Sequence, residues 1–323
     1  KLIINNIGQK KTFASYNLVK TMRAGILVLG PLLAKFGKAK VSLPGGCAIG
    51  TRPIDIHLRA LSQLGVKFKI LEGYVYASAP NGLKGAKIKF PKISVGATEN
   101  LIMASTLASG KTILKNCAIE PEIKDLTNFL KSAGANIKWI GKRTAQIIGV
   151  ETLNETKYSV MADRIETGTF CVAATLAKGD LLIKNLDPKI IKTELDLLKK
   201  TGAKIKMFQN KIHIKGPKKI KNINSIVTKE YPDSLSTDLQ AQFMVLLCLA
   251  SGRSSIIESI FENRFMHVAE LRRLGAKIIV KGNKAIIEGQ TEFKGAELMS
   301  SDLRASVALV LAAMVAKGQS VIN

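Results

Sequence analysis

The strongest constraint on the fold of this chain is an internal repeat with a period of about 70 residues. A short phrase centred on glycine and ending in an apolar residue occurs four times, with its glycines at Gly65, Gly134, Gly202 and Gly275. A second series of glycines alternates with these along the chain, at Gly37, Gly110, Gly179, Gly252 and Gly318. In each copy the glycine of this second series comes first and the glycine of the phrase comes second. The chain is therefore expected to consist of copies of one supersecondary unit.

Each copy has the pattern of two helices and four strands. A helix is expected to end at the first glycine in a left-handed cap, and a short strand follows it. A second helix, such as residues 123–133, ends at the second glycine, and two alternating strands then fold back through a turn such as Gln209-Asn210. With a leading strand, the unit becomes β-α-β-α-β-β. Four copies are expected to be essentially complete, and the fifth ends after its first strand.

One copy carries an insertion between its first strand and its second helix. The spacing from first to second glycine is 28 residues in the first copy but 24, 23 and 23 in the others. The extra residues fall in the sequence Pro-Gly-Gly-Cys-Ala-Ile-Gly at residues 44–50, which presents the thiol of Cys47 on a loop. Arg52 could lower the pKa of that thiol and hold an anion. An incidental cysteine on a glycine-rich turn is the alternative.

The other three cysteines, Cys117, Cys171 and Cys248, have apolar neighbours and are expected to pack in the core as reduced thiols. No CxxC pair occurs, and the three histidines are far apart in the sequence, so we expect neither a disulfide framework nor a metal site. No cofactor is expected.

The formal net charge of +25 raises the question of an anionic partner. The lysines are scattered through nearly every segment, which favours a solvated surface over a nucleic-acid groove. A basic nucleic-acid-binding module stays open as an alternative, although the few aromatic residues do not interleave with basic ones. The longest apolar runs reach about ten residues, whereas a membrane span needs about 20. We expect a cytoplasmic protein with neither a nucleic-acid nor a membrane partner.

Two helix starts carry candidate site residues. Residues 237–240, Thr-Asp-Leu-Gln, fit a capping box with Thr237 as the N-cap and Asp238 in the first turn. An acidic residue at that point interacts favourably with the helix dipole, so a purely structural role is the alternative. The matching phrase in the next copy places Arg304 near a helix N-terminus, where a cation opposes the dipole unless an anion binds there. Arg23 and Arg264 raise the same question.

Five phrases together closely resemble the enolpyruvyl transferases that act on UDP-N-acetylglucosamine; they are residues 21–24, 44–55, 163–169, 262–267 and 302–306. The likeness covers essentially the whole chain. It implies an α/β fold, an inside-out α/β barrel of two domains built from repeated β-α-β-α-β-β units. The expected first lobe is 1–161, with the Cys47 loop, and the second is 162–323, incomplete at its C-terminus and carrying Asp238, Arg264 and Arg304.

The resemblance also implies a reaction, the transfer of the enolpyruvyl group of phosphoenolpyruvate to the 3′-hydroxyl of UDP-N-acetylglucosamine with release of phosphate. This is the first committed step of peptidoglycan synthesis. Cys47 matches the proton donor and fosfomycin target, and Asp238 matches the base. The implied substrate-binding residues are Arg23, Arg52, Pro53, Ile54, Asp55, Ile56, Lys92, Ile93, Ser94, Val95, Ile260, Arg264 and Arg304.

The sequence departs from this family in lacking a Lys-Asn pair near one end and an arginine near the other. Six units would need about 420 residues, so a fragment lacking about 100 residues is expected, inactive or severely impaired on its own. The nearest rival activity is enolpyruvyl transfer to shikimate 3-phosphate. The Cys47 loop and residues 52–55 argue against it.

Overall fold

The computed structural model describes residues 2–5, 8, 11–20, 22–44, 54–232 and 234–323. These residues form two compact units, the first ending at Val160 and the second beginning at Met161. A domain boundary after residue 161 stays a prediction. No helix in the described ranges is long and apolar enough to cross a membrane.

The first unit contains two four-stranded sheets and five α-helices. Its first sheet has the order β1-β2-β4-β3 and consists of β1 (Phe13–Ala14), β2 (Lys38–Ser42), β3 (Lys67–Leu71) and β4 (Tyr74–Ser78). Its second sheet has the order β5-β6-β8-β7 and consists of β5 (Lys87–Lys89), β6 (Lys111–Lys115), β7 (Asn136–Gly141) and β8 (Thr144–Ile148). The helices are α1 (Tyr16–Val19), α2 (Leu29–Phe36), α3 (Asp55–Ser62), α4 (Val95–Ser105) and α5 (Pro121–Ser132), with a 3-10 helix at Arg23–Val28.

The second unit contains three sheets. They are β10-β11-β9, β12-β13-β15-β14 and β16-β17, from β9 (Asp180–Lys184), β10 (Lys204–Met207), β11 (Lys211–Lys215), β12 (Ile226–Thr228), β13 (Ser254–Glu258), β14 (Ile278–Lys281), β15 (Lys284–Ile287), β16 (Glu297–Leu298) and β17 (Val321–Ile322). The helices are α6 (Arg164–Leu176), α7 (Lys192–Lys200), α8 (Gln240–Cys248), α9 (Val268–Arg273) and α10 (Leu303–Ala313). Two 3-10 helices, Pro188–Ile191 and Thr237–Leu239, lead into α7 and α8.

The sheet topology repeats as the sequence predicts. In three sheets a leading strand pairs parallel with the next strand, which pairs antiparallel with the last arm of the hairpin. The third copy differs, because residues 150–163, all of them described, contain no strand, and its sheet starts at β9. The expectation of four complete copies is therefore wrong for this one.

The glycines that end the second helix of each copy adopt the left-handed conformation, with φ of 95° at Gly65 and 101° at Gly134, Gly202 and Gly275. In each case the glycine N–H and the next N–H bond back to the last helical turn, as in Gly134 to Lys131 and Ala135 to Leu130. This is a Schellman motif, repeated four times. In the second series, Gly37, Gly110, Gly179, Gly252 and Gly318, the expectation is wrong at Gly179 and Gly252, which are not left-handed. In the third copy Lys178, with φ of 55°, takes that conformation instead.

Each unit has its own hydrophobic core. In the second unit the central element is α8, all nine residues of which are buried, between α6 and α10. The apolar run from Phe243 to Cys248 predicts that this helix is buried. The thiols of Cys117, Cys171 and Cys248 are buried too, and burial raises the pKa of each to about 12. The prediction that they pack in the core is confirmed.

Candidate functional site

Asp238 lies in the 3-10 turn that opens the buried helix α8. The residue before the turn, Ser236, is the N-cap, and its hydroxyl accepts a hydrogen bond from the Asp238 N–H at 3.4 Å. The predicted capping box is therefore wrong, since Thr237 is not the cap. Gln240, its other expected member, is fully buried, and its side-chain amide has no hydrogen-bond partner among the described residues.

Two guanidinium groups hold the carboxylate of Asp238. Arg264 Nη2 lies 2.6 Å from Oδ1, and Arg304 Nη2 lies 3.1 Å from Oδ2. The Arg264 side chain is only 4% exposed and also donates to the carbonyl of Thr237, while that of Arg304 is 26% exposed. The structure thus brings together three residues that the sequence selects from separate positions in the chain. We call Asp238, Arg264 and Arg304 the arginine clamp.

The arginine clamp sets the protonation state of Asp238. Partial burial would raise the pKa of this carboxyl group, but Arg304 and Arg264, with a smaller contribution from Arg164, hold it below its ordinary value. Asp238 is therefore ionised at neutral pH and is a poor proton acceptor as it stands. An anionic ligand that draws the arginines away would raise its pKa and make it a better base.

The position of Arg304 follows from the cap of α10. The Asp302 side chain accepts hydrogen bonds from the N–H groups of Arg304 and Ala305, at 2.9 and 3.1 Å, so Arg304 lies in the first turn. A cation is unfavourable at this end of a helix. The sequence predicts an anion near Arg304, and the carboxylate of Asp238 lies there in this structure.

Two buried glutamates support the turn that carries Asp238, and sequence analysis missed both. Glu194 Oε1 accepts a hydrogen bond from the Ser236 N–H at 3.2 Å. Glu258 Oε2 accepts one from the Thr237 hydroxyl at 2.9 Å, and its Oε1 accepts from the N–H groups of Ile260 and Phe261. For Glu258 the available signal was an acidic residue directly after Ile256 and Ile257 at the end of its strand.

His267 lies near the clamp but does not supply a proton. Its pKa is lowered to about 4, mainly by burial. The Asp302 charge opposes this shift, and the Arg264 charge adds to it. The imidazole is therefore neutral at pH 7. Within the described part of the chain, no group of three or more histidine, cysteine or acidic side chains could hold a metal ion.

The predicted residues 54–56 and 92–95 lie at two neighbouring helix starts in the first unit. Ile54 is the N-cap of α3, Asp55 is in its first turn and Ile56 is buried. The segment from Lys92 and Ile93 leads to Ser94, whose hydroxyl caps α4 immediately before Val95. The two starts are adjacent, since a Cβ on Gly96 would lie 3.2 Å from Cε1 of His57.

The other predicted residues of the N-terminal part are Arg23, Cys47, Arg52 and Pro53. Arg23 is the first residue of the 3-10 helix Arg23–Val28. Cys47, Arg52 and Pro53 lie outside the described residues. In the second unit, Ile260 is half-buried and donates its N–H to Glu258.

Because three of the four thiols are buried, the reactivity of the Cys47 thiol can be measured separately. At pH 8 the native protein is expected to react rapidly with one equivalent of a thiol reagent, because thiols with a pKa of about 12 carry almost no thiolate. The Cys47→Ser variant is expected to lose this rapid reaction. Rapid labelling of a second thiol in the native state, counted by mass spectrometry, would contradict the burial described above.

Comparison with known proteins gives a consistent family relationship. The family model of EPSP synthase (3-phosphoshikimate 1-carboxyvinyltransferase) matches residues 1–323. A UDP-N-acetylglucosamine 1-carboxyvinyltransferase of Pelagibacter ubique (strain HTCC1062) is 69% identical over 323 residues, which are 100% of this chain and 77% of the relative. An enzyme of the same name from Rickettsia prowazekii (strain Madrid E) is 49% identical over 100% of this chain and 77% of its own.

Solved structures agree on the fold. The enolpyruvyl transferase NikO from Streptomyces tendae matches with a TM-score of 0.85 and 23% identity, covering 97% of this chain and 74% of that one. EPSP synthase from Acinetobacter baumannii matches with a TM-score of 0.70 and 18% identity, covering 94% and 73%. The predicted α/β fold of the enolpyruvyl transferases is confirmed.

Proposed function

This chain belongs to the EPSP synthase family of enolpyruvyl transferases, and we propose that it acts as a UDP-N-acetylglucosamine 1-carboxyvinyltransferase. It transfers the enolpyruvyl group of phosphoenolpyruvate to the 3′-hydroxyl of UDP-N-acetylglucosamine and releases phosphate. The observation that carries this function is 69% identity, over the whole chain, to a relative of that name. The substrates are small molecules, and no cofactor is needed.

The reaction requires three proton transfers and a place for negative charge. The acceptor hydroxyl must lose a proton as its oxygen attacks the donor, and the vinyl carbon of the donor must gain one. Phosphate then leaves and a proton is lost from the methyl group, which restores the double bond. We assign the first transfer to Asp238 and the donation to carbon to Cys47.

The arginine clamp suggests how donor binding prepares Asp238. The donor carries phosphate and carboxylate groups, which compete with Asp238 for the guanidinium groups of Arg264 and Arg304. As these contacts pass to the donor, the pKa of Asp238 rises toward its ordinary value. The base is then strengthened only when the donor is present. Arg23 and Arg52 would contribute further cations for the same anion.

The acceptor is assigned to the remaining predicted segments. Residues 52–56 and 92–95 would hold the UDP-sugar, and Ile260 is a further proposed contact. The adjacency of the starts of α3 and α4 supports the assignment of residues 54–56 and 92–95, because it brings these residues close together. Shikimate 3-phosphate is not favoured as acceptor, since relatives 48–69% identical to this chain are named UDP-N-acetylglucosamine 1-carboxyvinyltransferases.

Acceptor discrimination tests the function. Phosphate release from phosphoenolpyruvate is measured with UDP-N-acetylglucosamine and, separately, with shikimate 3-phosphate, and calorimetry measures the binding of each acceptor. Binding is included because it reports recognition of the acceptor independently of the rate of turnover. We expect binding, and any turnover, with UDP-N-acetylglucosamine alone. Selective binding of shikimate 3-phosphate would overturn the assignment.

The wider role follows from the reaction. The product would enter peptidoglycan synthesis, so we propose that the protein supports cell-wall biogenesis, cell shape and division from the cytoplasm. Alkylation of Cys47 would make it a target of fosfomycin. We also propose that residues 1–161 and 162–323 are the two lobes of the enzyme.

A further inference from the structure

We infer that Glu258 is a positioning residue for the arginine clamp, one that fixes the Asp238 turn and the Arg264 loop relative to each other. The inference rests on the proposed function and adds to it a residue that touches neither substrate. Glu258 is the last residue of β13 and is only 2% exposed. Its carboxylate has partners on both segments.

The contacts of Glu258 form a closed network with the clamp. Oε2 accepts from the Thr237 hydroxyl at 2.9 Å, immediately before Asp238. Oε1 accepts from the N–H groups of Ile260 at 2.8 Å and Phe261 at 3.2 Å, at the start of the loop that leads to Arg264. Arg264 in turn donates to the Thr237 carbonyl and to Asp238. The shared partner Thr237 therefore connects Glu258 to both charged residues.

The repeat shows that the scaffold does not require a carboxylate at this position. The N–H of Glu258 donates to the carbonyl of Asn283, just before the last strand of its copy. The strand registers place Leu43, Asn116 and Asn185 at this position in the other three copies. The equivalent bond is made by Leu43 in the first copy and by the following residue, Cys117 or Leu186, in the second and third. None of these residues carries a carboxylate.

Burial of a carboxylate is unfavourable unless hydrogen bonds compensate for it. The copy that carries Asp238 and Arg264 thus places a buried carboxylate where its sister copies have leucine or asparagine. Its three hydrogen bonds go to the two segments that form the site. This placement favours a functional role over a role in folding alone.

Two sets of variants test the inference. Glu258→Leu installs the side chain that the first copy carries at this position, Leu43, and Thr237→Val removes only the hydroxyl. Each is expected to lower kcat by about 10- to 100-fold, with a smaller effect on KM, because a displacement of about 1 Å in a catalytic group can cost that much. Thr237→Ser, which keeps the hydroxyl, is expected to recover most of what the valine variant loses.

A readout independent of turnover accompanies the kinetics. The carboxyl carbon of Asp238 is titrated by NMR in each variant, and the pKa is expected to rise as the pairing with Arg264 loosens. The control is Ile256→Val, at a buried residue of the same strand whose apolar side chain takes no part in these hydrogen bonds. It is expected to lower thermal stability slightly while leaving kcat and the Asp238 titration unchanged.

The outcomes separate the inference from the proposed function. If folded Glu258→Leu and Thr237→Val proteins keep the kcat and the Asp238 pKa of the unsubstituted protein, the positioning role is wrong. If Glu258→Leu does not fold, the pair of Thr237 variants decides the question. If the unsubstituted protein does not bind UDP-N-acetylglucosamine, the proposed function fails, and the titration still decides whether Glu258 positions the clamp.

Discussion

The Asp238→Asn variant is expected to turn over about 10²- to 10⁴-fold more slowly than the unsubstituted protein, without weaker binding of phosphoenolpyruvate. The amide keeps the shape of the carboxylate but cannot accept the proton of the acceptor hydroxyl. It also no longer neutralises Arg264 and Arg304, which lie 2.6 and 3.1 Å from the carboxylate oxygens. Both guanidinium groups become available to the donor, so its dissociation constant should stay the same or fall.

Steady-state phosphate release gives kcat, and calorimetry gives the dissociation constant of the donor. The control is Asp180→Asn, in an exposed carboxylate that pairs with His213 and Lys215 rather than with the arginine clamp. It should change neither quantity appreciably. Donor binding weakened tenfold or more by Asp238→Asn would show that the carboxylate does not compete with the donor for these arginines.

The second large effect concerns stability. Arg264→Met is expected to lower the free energy of unfolding by about 3 kcal/mol, the low end for a broken buried ion pair, because the Asp238 side chain is 39% exposed. Arg304→Met, at a side chain 26% exposed, is expected to cost about 1 kcal/mol. Methionine keeps the unbranched apolar stem in both variants. Urea unfolding at pH 7 measures the two losses.

The pH dependence of these losses has a definite sign. The pKa of Asp238 is lower in the folded protein than the ordinary value of about 3.9 that an unfolded chain would show. The ion pairs therefore stabilise the fold fully above that pH and lose their effect as the pH falls through the folded pKa. The difference between the unsubstituted protein and Arg264→Met should shrink in acid. A difference that stayed constant through the acid range would contradict this origin.

The repeated architecture could be predicted from the sequence because helix-ending glycines recur at nearly fixed spacing. Gly65, Gly134, Gly202 and Gly275 all adopt the left-handed conformation that their position requires. The absence of a leading strand from the third copy could not be predicted in the same way. A strand depends on a partner in the sheet, and residues 150–163 pair with none.

The candidate site was predictable in its charged residues but not in their support. Arg304 stands out because a cation is unfavourable near a helix N-terminus, whereas Asp238 suits its position and is distinguished by the resemblance to a known family. A capping box on Thr237 is a prediction that the structure replaces with Ser236, since a one-residue shift gives an equally good local pattern. The role of Glu258 depends on a contact with a residue 21 positions earlier in the chain. Comparison of the copies at the same distance from their first glycines, where the others have Leu43, Asn116 and Asn185, would single it out as the acidic residue.

The hairpins give the abundant lysines a use beyond solubility. In four sheets the first arm of the hairpin is the outermost strand, namely β3, β7, β10 and β14. Every one of them carries lysine: Lys67 and Lys69, Lys138, Lys204 and Lys206, and Lys281. An outermost strand offers unpaired backbone groups to any other strand that approaches, and like charges along it repel a second copy. The positive charge of this chain therefore protects its own sheets from edge-to-edge aggregation.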